Sequence, residues 1–251
     1  MVTSESISQA YSSPPITEAV ISVVFDSNIN KKTIDSANVK FQRYYSKSDS
    51  LSHVNVNLDM ANHQSKIDQQ DSGYRLSTED MTQLLLLQES SFTVSQRAPY
   101  PGWDVFFDRF VRDWKVWKRV VKHKKIKRIG VRYINRLDIP AEEATVVDEE
   151  YLNFYPKIPE VFSPLIGYKL QCALPLESGT SQLQLNSAVV PSPLLGHISI
   201  ILDQDIIRLV DVPQKDEDIF KLLSDIRHQK NEVFESCITE KARRLFGNGR
   251  S

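Results

Sequence analysis

The fold is decided by residues 103–140, WDVFFDRFVRDWKVWKRVVKHKKIKRIGVRYINRLDIP, where the spacing of the apolar side chains changes. In the first part they recur every three or four residues, at Trp103, Phe107, Phe110, Trp114, Trp117 and Val121. From residue 126 onward they alternate with polar ones, as Ile129, Val131 and Tyr133 do. The first pattern is typical of a helix with one apolar face and the second of a strand. We therefore predict a helix that packs on a sheet and buries all three tryptophans of the chain.

Both flanks of this stretch consist mostly of predicted strands. On the N-terminal side, alternating or β-branched runs predict strands at residues 19–25, 51–60, 73–78 and 82–95, the last long enough to be bent. Residues 30–49 suit a short helix at best. On the C-terminal side the predicted elements are strands at 167–176, 181–190 and 197–210 and one long helix at 215–247. The apolar stripe of that helix is interrupted at residues 227–231.

The order of these elements predicts an α+β fold. Each half opens with strands and closes with a helix, so we expect antiparallel strands with one long helix packed on the sheet from each of two weakly repeated β-β-β-(β)-α halves. A doubly wound parallel sheet is disfavoured, because its strands would need helices between them. The predicted divisions are a disordered tail at 1–13, an N-terminal half at 14–140, an acidic, proline-containing linker at 141–163 and a C-terminal half at 164–247. The two halves could also form one integrated domain.

Length and composition narrow the class of protein. The chain has 251 residues, of which 41% are hydrophobic and 25% charged, as in an ordinary globular protein. Its apolar runs fall well short of the roughly 20 residues that cross a bilayer, so we expect no membrane association. The polar N-terminus lacks the layout of a secretion signal, and Cys172 and Cys237 lie far apart with no partner spacing. Both observations favour a cytoplasmic protein with two buried thiols.

Charge is distributed unevenly along the chain. Of its 31 lysines and arginines, twelve lie between Arg109 and Arg136, where Asp113 is the only acid, although the net charge is -1. Five carboxylates follow directly in residues 141–151. Three interpretations stay open: a solvated or internally paired face, a docking surface for an acidic protein, and a nucleic-acid-binding surface. The candidate binding residues are Lys115, Lys118, Arg119, Lys122, Lys124, Lys125 and Lys127.

Motifs of catalysis and metal binding give little signal. The five histidines share no metal-ligand spacing with a cysteine or carboxylate, and the eight glycines form no phosphate-binding loop. No nucleophile elbow is present, and neither cysteine has a histidine in its motif. Asp203 and Asp205 could hold a divalent ion but are better explained as a hairpin corner or a strand end. We therefore expect no catalytic residues, no metal ligands and no cofactor.

Three blocks of the sequence carry a resemblance: SSPPITEAVISVVFD at 12–26, VRYINRLDIP at 131–140 and HQKNEVFESCITEKARRLFG at 228–247. In this order they resemble the signature blocks of a sporadically distributed family of uncharacterised bacterial proteins of similar length. The resemblance implies a prokaryotic or phage-encoded cytosolic protein, and the scattered distribution suggests mobile genes such as defence or toxin–antitoxin neighbourhoods. It implies no catalytic residue. The matching positions are Pro15, Glu18, Phe25, Arg132, Asn135, Arg136, Phe234, Glu235, Thr239 and Phe246.

Some of these positions predict a structural role of their own. Glu18 is a charge near the start of an apolar strand and needs a partner. Arg132 and Arg136 lie an even number of residues apart, so they share one side of their strand, and Glu235 lies on a helix face that could reach them. We predict a buried polar seam of these four residues that holds the two halves in register. Charge reversal at Arg136 should then lower the melting temperature sharply.

These observations favour a non-enzymatic binding or accessory protein of a bacterial or phage multi-gene system that recognises a protein partner. One alternative is an RNA- or DNA-binding protein that uses the basic segment 109–136. Another is a hydrolase or nuclease whose site is assembled from dispersed residues. Self-association through the long final helix stays open, although its apolar stripe is equally explained by packing on its own sheet.

Overall fold

The computed structural model describes residues 11–59, 64–141, 148–162 and 165–247. Within these ranges the chain has an α+β fold with a large antiparallel sheet and five α-helices. It divides into two compact units. The first unit is Val20–Ile129, and the second is formed by the chain up to Ala19 and from Gly130 onward. In the described ranges, no helix is long and apolar enough to span a membrane.

The first unit begins in strand β1 (Ile16–Phe25) and ends in strand β6 (Ile126–Pro140), both of which continue into the second unit. Its other elements are α1 (Lys31–Phe41), β2 (Lys47–Asp59), β3 (Gln64–Ser77), β4 (Gln83–Gln88), β5 (Ser91–Arg97) and α2 (Trp103–Val121). The hydrogen-bonded strand order is β2-β3-β4-β5-β1-β6. The pairs β2–β3, β3–β4 and β4–β5 are antiparallel hairpins.

Helix α2 forms the core of the first unit, because its apolar period brings the large rings onto one face. Trp103, Trp114 and Trp117 are 8%, 3% and 1% exposed, so the predicted burial of the tryptophans is confirmed. Phe25 of β1 stacks on two of them, with ring centroids 6.4 Å from Trp114 and 6.0 Å from Trp117. Burying one such apolar side chain stabilises a fold by about 1.5–3 kcal/mol. The rest of the helix surface is therefore left to its polar side chains.

The second unit contains the strand order β1-β6-β9-β8-β7. Its further elements are α3 (Asp148–Tyr151), β7 (Lys169–Leu176), β8 (Ser181–Val190), β9 (His197–Arg208), α4 (Asp216–Cys237) and α5 (Glu240–Leu245), with short 3-10 turns at Glu160–Phe162 and Glu177–Gly179. The pairs β7–β8 and β8–β9 are antiparallel. Helix α4 contacts β9 and buries an apolar stripe that includes Ile219, Leu223 and Ile226.

Two predicted elements were wrong because the structure divides each of them in two. The bent strand expected at 82–95 is the hairpin of β4 and β5. The single helix expected at 215–247 ends at Cys237, because Ile238 is extended and pairs with Leu152. Thr239 then caps α5 by accepting a hydrogen bond from the Ala242 N–H. The turn between β4 and β5 coincides with four consecutive polar residues, 88–91, that the prediction passed over, whereas the end of α4 depends on the pairing of Ile238, which the apolar period does not reveal.

The predicted internal repeat, with one long helix per half, stays a prediction. Helix α1 lies between β1 and β2 and is capped by Asn30, whose Oδ1 accepts from the Thr33 N–H at 2.9 Å. The predicted divisions at 140, 141–163 and 164 also stay predictions; the chain passes between units inside β1 and β6. Residues 1–10 of the predicted tail and residues 142–147 and 163 of the predicted linker lie outside the described residues. Ser13, in the rest of that tail, donates its N–H to the Phe246 carbonyl at 2.9 Å.

Candidate functional site

The exposed cations of the first unit are concentrated at the C-terminal end of α2 and the start of β6. On α2, Lys115, Lys118 and Arg119 follow the i, i+3, i+4 spacing that places side chains on one helix face. The apolar face of the same helix is buried, so this face points to solvent. We call the following set the basic surface: Lys115, Lys118, Arg119, Lys122, Lys124, Lys125 and Lys127. All of them are exposed except Lys124, which is half-buried.

Most charges of the basic surface are not compensated by described neighbours. Lys124 is held by two neutral acceptors, since its Nζ donates to Ser27 Oγ at 3.3 Å and to the Asn28 carbonyl at 3.2 Å. Within the described ranges, no carboxylate lies within ion-pair distance of Lys115, Arg119, Lys122, Lys125 or Lys127. Clustered like charges without counter-charges produce a positive field that extends to about a Debye length into solvent.

Lys122 has a backbone conformation that favours glycine. It caps α2 with φ 61° and ψ -162°, and its N–H still donates to the Lys118 carbonyl at 3.2 Å. Side chains with a Cβ are strained there, typically at a cost of about 1–3 kcal/mol. Glycine is the residue most often found in a left-handed conformation at the end of a helix. The chain therefore carries a cation on the basic surface at a position where its backbone would be more stable with glycine.

Arg109 and Arg112 of the basic segment make internal contacts. Arg109 is buried, and its Nη2 donates to the Ser95 carbonyl at 2.7 Å. Arg112 donates through Nε to Asp113 Oδ1 at 2.8 Å. The planar guanidinium suits such fixed contacts, whereas lysine remains well hydrated at a surface. The interpretation of an internally paired face therefore describes Arg109 and Arg112.

Asp113 organises a buried polar cluster beneath α2. Its Oδ2 accepts from Tyr45 Oη at 2.5 Å, and Arg109 Nη1 donates to the same Tyr45 oxygen at 3.2 Å. We call Tyr45, Arg109, Arg112 and Asp113 the Asp113 cluster. Burial raises the pKa of Asp113, while the hydrogen bond from Tyr45 and the charges of Arg112 and Arg109 oppose that change. Because Tyr45 and Asp113 are both fully buried, the cluster is a structural centre that a substrate could reach only if the unit opened.

Arg132, one member of the predicted polar seam, has a different principal partner. Its Nε and Nη2 donate to the two oxygens of Asp203, both at 2.7 Å, in a bidentate pair between β6 and β9. Asn186 of β8 adds a hydrogen bond to Asp203 Oδ2 at 3.1 Å. The hydrogen bond with Asp203 raises the pKa of Arg132, and the charges of Asp205 and Glu18 act in the same direction. The structure thus relates Glu18 to Arg132 electrostatically, but Asp203 is the directly bonded carboxylate.

The other two members of the predicted seam also have their own charged partners. Arg136 Nε donates to Asp138 Oδ1 at 3.0 Å on the same strand. Glu235 accepts from Arg243 Nε at 2.8 Å and from Tyr11 Oη at 2.6 Å. The described contacts therefore do not bring Arg132, Arg136 and Glu235 together in one network. They instead tie residue 11 to the end of α4, which the sequence did not predict.

Lys230 lies on the buried face of α4. It is 9% exposed, and its Nζ lies 4.0 Å from the centroid of the Tyr133 ring. Burial lowers the pKa of Lys230 to about 8. Beside it, the buried Gln204 amide is best oriented with its nitrogen donating to the Lys230 carbonyl at 3.3 Å and its oxygen accepting from the Phe234 N–H at 3.2 Å. The interruption of the apolar stripe at 227–231 therefore marks a buried polar site of the second unit.

The sequence contained a signal for the position of Asp113 and a partial one at residues 227–231, but none for the pair of Arg132 and Asp203. Asp113 follows Phe110 by three residues and precedes Trp117 by four, so the helical period itself places it on the apolar face. No comparable rule links Arg132 to Asp203, which is 71 residues away. Within the described part of the chain, no group of three His, Cys, Asp or Glu side chains is arranged to hold a metal ion.

Comparison with known proteins adds no family assignment. A scan against protein-family models found no match for this chain, and a search of curated proteins found none either. The bacterial or phage origin and the mobile-gene neighbourhood implied by the sequence blocks therefore stay proposals. The candidate site that follows from the geometry is the basic surface.

Proposed function

We propose that this chain is a non-enzymatic binding protein of a bacterial or phage multi-gene system and that its basic surface recognises nucleic acid. The supporting observation is a row of exposed cations at the end of α2 and the start of β6, with no acid among residues 115–127. Phosphate backbones bind such surfaces because each neutralised phosphate releases condensed counterions. Dense lysine and arginine on one face is the electrostatic signature of this class of binding.

An acidic protein partner, which the sequence favoured first, has less support from the residues of this surface. Protein interfaces bind mainly through buried aromatic and apolar groups at their centre, where lysine is depleted. The apolar side chains within 115–127 are mostly buried in the fold, as Val116, Val121 and Ile126 are, and the small side chain of Val120 is half-buried. What remains outside is lysine-rich and offers no apolar anchor. A hydrolase or nuclease with a dispersed site stays an alternative that detection of turnover would promote.

The test is charge reversal of the basic surface under conditions that preserve the fold. Lys115→Glu, Arg119→Glu and Lys125→Glu alter exposed side chains that have no described carboxylate partner. With three phosphate contacts removed, we expect binding of mixed-sequence DNA or RNA at about 0.1 M salt to fall by at least about a hundredfold. Fluorescence anisotropy measures the affinity, and thermal denaturation should show an unchanged melting temperature.

A matched control variant carries the same change of charge elsewhere. Lys157→Glu, Lys215→Glu and Lys221→Glu reverse three exposed lysines of the second unit. This variant should bind nucleic acid nearly as well as the parent chain. Equal loss in both variants would show that net charge, and not the basic surface, controls binding. Failure of the parent chain to bind nucleic acid while it binds polyglutamate would replace the proposal with an acidic protein partner.

A further inference from the structure

We infer that the nucleic acid recognised by the basic surface is a duplex, contacted through its phosphate backbone and without readout of base sequence. This inference rests on the proposed function and narrows its ligand. It follows from the rings that the surface lacks, from the side chains that it contains and from the close spacing of its cations.

The basic surface offers little for unpaired bases to stack on. Proteins that hold single strands do so with exposed aromatic side chains, and sequence-specific RNA recognition also splays bases onto rings. In the fully described segment 103–136, the buried aromatic residues are Trp103, Phe106, Phe110, Trp114, Trp117 and Tyr133, and Phe107 is half-buried. The exposed ring within this segment is the imidazole of His123. A duplex, whose bases are already stacked, needs no such platform.

The side chains of the basic surface are suited to phosphates more than to base edges. Adenine is read by bidentate asparagine or glutamine and guanine by arginine or lysine, whereas on phosphate lysine acts as a point charge. Between residues 115 and 127 there is no asparagine or glutamine, and Arg119 is the only arginine. Contacts to phosphate fix position but carry no sequence information directly. The chemistry of the surface therefore predicts affinity without sequence preference.

A compact group of cations also gains more from a duplex than from a single strand. The two strands of a duplex together place one phosphate charge per about 1.7 Å of axis, and release of counterions per contact is greater than on a single strand. Lys115, Lys118 and Arg119 lie within one turn and a little more of α2, a rise of about 6 Å at 1.5 Å per residue. Cations this close together match the dense phosphates of a duplex.

A substitution at Lys122 distinguishes a loss of nucleic-acid binding from a loss of folding stability. Its conformation favours glycine, so Lys122→Gly should relieve backbone strain and raise the melting temperature. The same change removes one cation from the basic surface. We expect the plot of log K against log salt for duplex DNA to have a slope of about -4 to -5, for about five phosphate contacts, and Lys122→Gly to make it shallower by about one. A variant that is more stable but binds less tightly cannot be explained by misfolding.

The decisive comparison uses probes of equal length. They are two DNA duplexes of unrelated sequence, an RNA duplex and the corresponding single strands, titrated against the full chain by fluorescence anisotropy. We expect either duplex form to bind at least about tenfold more tightly than its single strand, with the two DNA sequences within about twofold. His123→Ala should leave all affinities unchanged. Single strands that bind as tightly as duplexes, or a tenfold preference between the DNA sequences, would overturn the inference and leave the proposed function standing. No binding to any probe would overturn both.

Discussion

The two long helices of this protein bury charged side chains in opposite ways. On α2, Asp113 and Arg109 lie among the rings of the core but belong to the Asp113 cluster, where hydrogen bonds and charges of opposite sign surround them. On α4, Lys230 is buried beside the Tyr133 ring, and within the described residues no carboxylate lies at ion-pair distance from it. The first arrangement depends on all of its members being present. The second buries a cation without a counter-charge, and its free-energy cost depends on whether the lysine is protonated.

The difference between the two helices follows from how the hydration that each charge loses on burial is replaced. A buried ion keeps most of its stabilisation only when partners replace its hydration, and removing one partner leaves the others uncompensated. A lysine whose ammonium faces an aromatic ring recovers part of that loss through a cation–π interaction, estimated at up to about 2 kcal/mol when desolvated. Burial, with the nearby charge of Arg227, lowers the pKa of Lys230. Substitutions at Asp113 and Lys230 test this explanation.

The largest effect is expected from Asp113→Ala, which removes the acceptor of the Asp113 cluster. Tyr45 then loses its hydrogen-bond acceptor, and Arg109 and Arg112 lose the carboxylate between them. We expect a loss of about 3–5 kcal/mol in the free energy of unfolding, because breaking a buried ion pair leaves uncompensated charge. Urea denaturation measures it. Asp108→Ala, at an exposed position of the same helix, is the matched control and should change stability by less than about 0.5 kcal/mol.

The second effect has the opposite sign, because replacing Lys230 with methionine should stabilise the protein at neutral pH. The pKa of Lys230 is lowered from 10.5 to about 8, and one pKa unit corresponds to about 1.4 kcal/mol, so the charged form costs on the order of 3 kcal/mol. Methionine keeps an apolar stem of similar length without the charge. We expect Lys230→Met to raise the free energy of unfolding by about 1–3 kcal/mol at pH 7.

The pH dependence identifies the cause of that gain. Because the folded pKa is lower than the unfolded one, the unfolded chain binds more protons between about pH 8 and 10.5. The contribution of Lys230 to stability is therefore present above pH 10.5 and is lost as pH falls through 8. The gain in stability of Lys230→Met over the parent chain should therefore shrink as pH rises from about 8 to 10.5. A difference independent of pH would show that packing, not charge, causes the gain; Lys221→Met, at an exposed position of α4, should show neither effect.

The same comparison explains how much of the structure could be predicted from the sequence. The strands, α2 and the burial of its tryptophans follow from local periodicity, and that period also places Asp113 on the buried face. Its hydrogen-bond partner Tyr45 lies 68 residues away in the chain, and no local rule joins them. On α4 the interruption of the apolar stripe at 227–231 was visible in the sequence. A lysine at such an interruption indicates that the apolar stripe shifts to another helix face, and it does not predict a buried cation. The period of the apolar residues thus predicts which face of a helix is buried, whereas the hydrogen-bond partners of a buried polar side chain depend on the tertiary fold.

For the basic surface, too, the sequence predicts the density of charge, but only the structure shows which cations have internal partners. The density of lysine between residues 115 and 127 was evident, and their exposure follows from the helix face opposite the core. That Arg109, Arg112 and Arg132 of the wider segment 109–136 bond to groups within the fold was not evident, since lysine and arginine count alike in a charge pattern. Their separation depends on Asp113, Ser95 and Asp203 lying within hydrogen-bond distance in the folded chain.

The smallest effect is expected from Arg136→Glu, for which the predicted polar seam required a sharp loss. Arg136 is half-exposed and bonds to Asp138, its neighbour on the same strand face, so solvent screens much of the interaction. We expect a loss of about 1 kcal/mol or less, which lowers the melting temperature by about 2–4 °C in a chain of this size. Asp203→Ala is the comparison, because it breaks the bidentate pair with Arg132 and the bond from Asn186; it should cost more, about 1–2 kcal/mol. If Arg136→Glu proves the more damaging in thermal denaturation, the link through Glu18 that the sequence predicted contributes more to stability than the described contacts of Arg136 indicate.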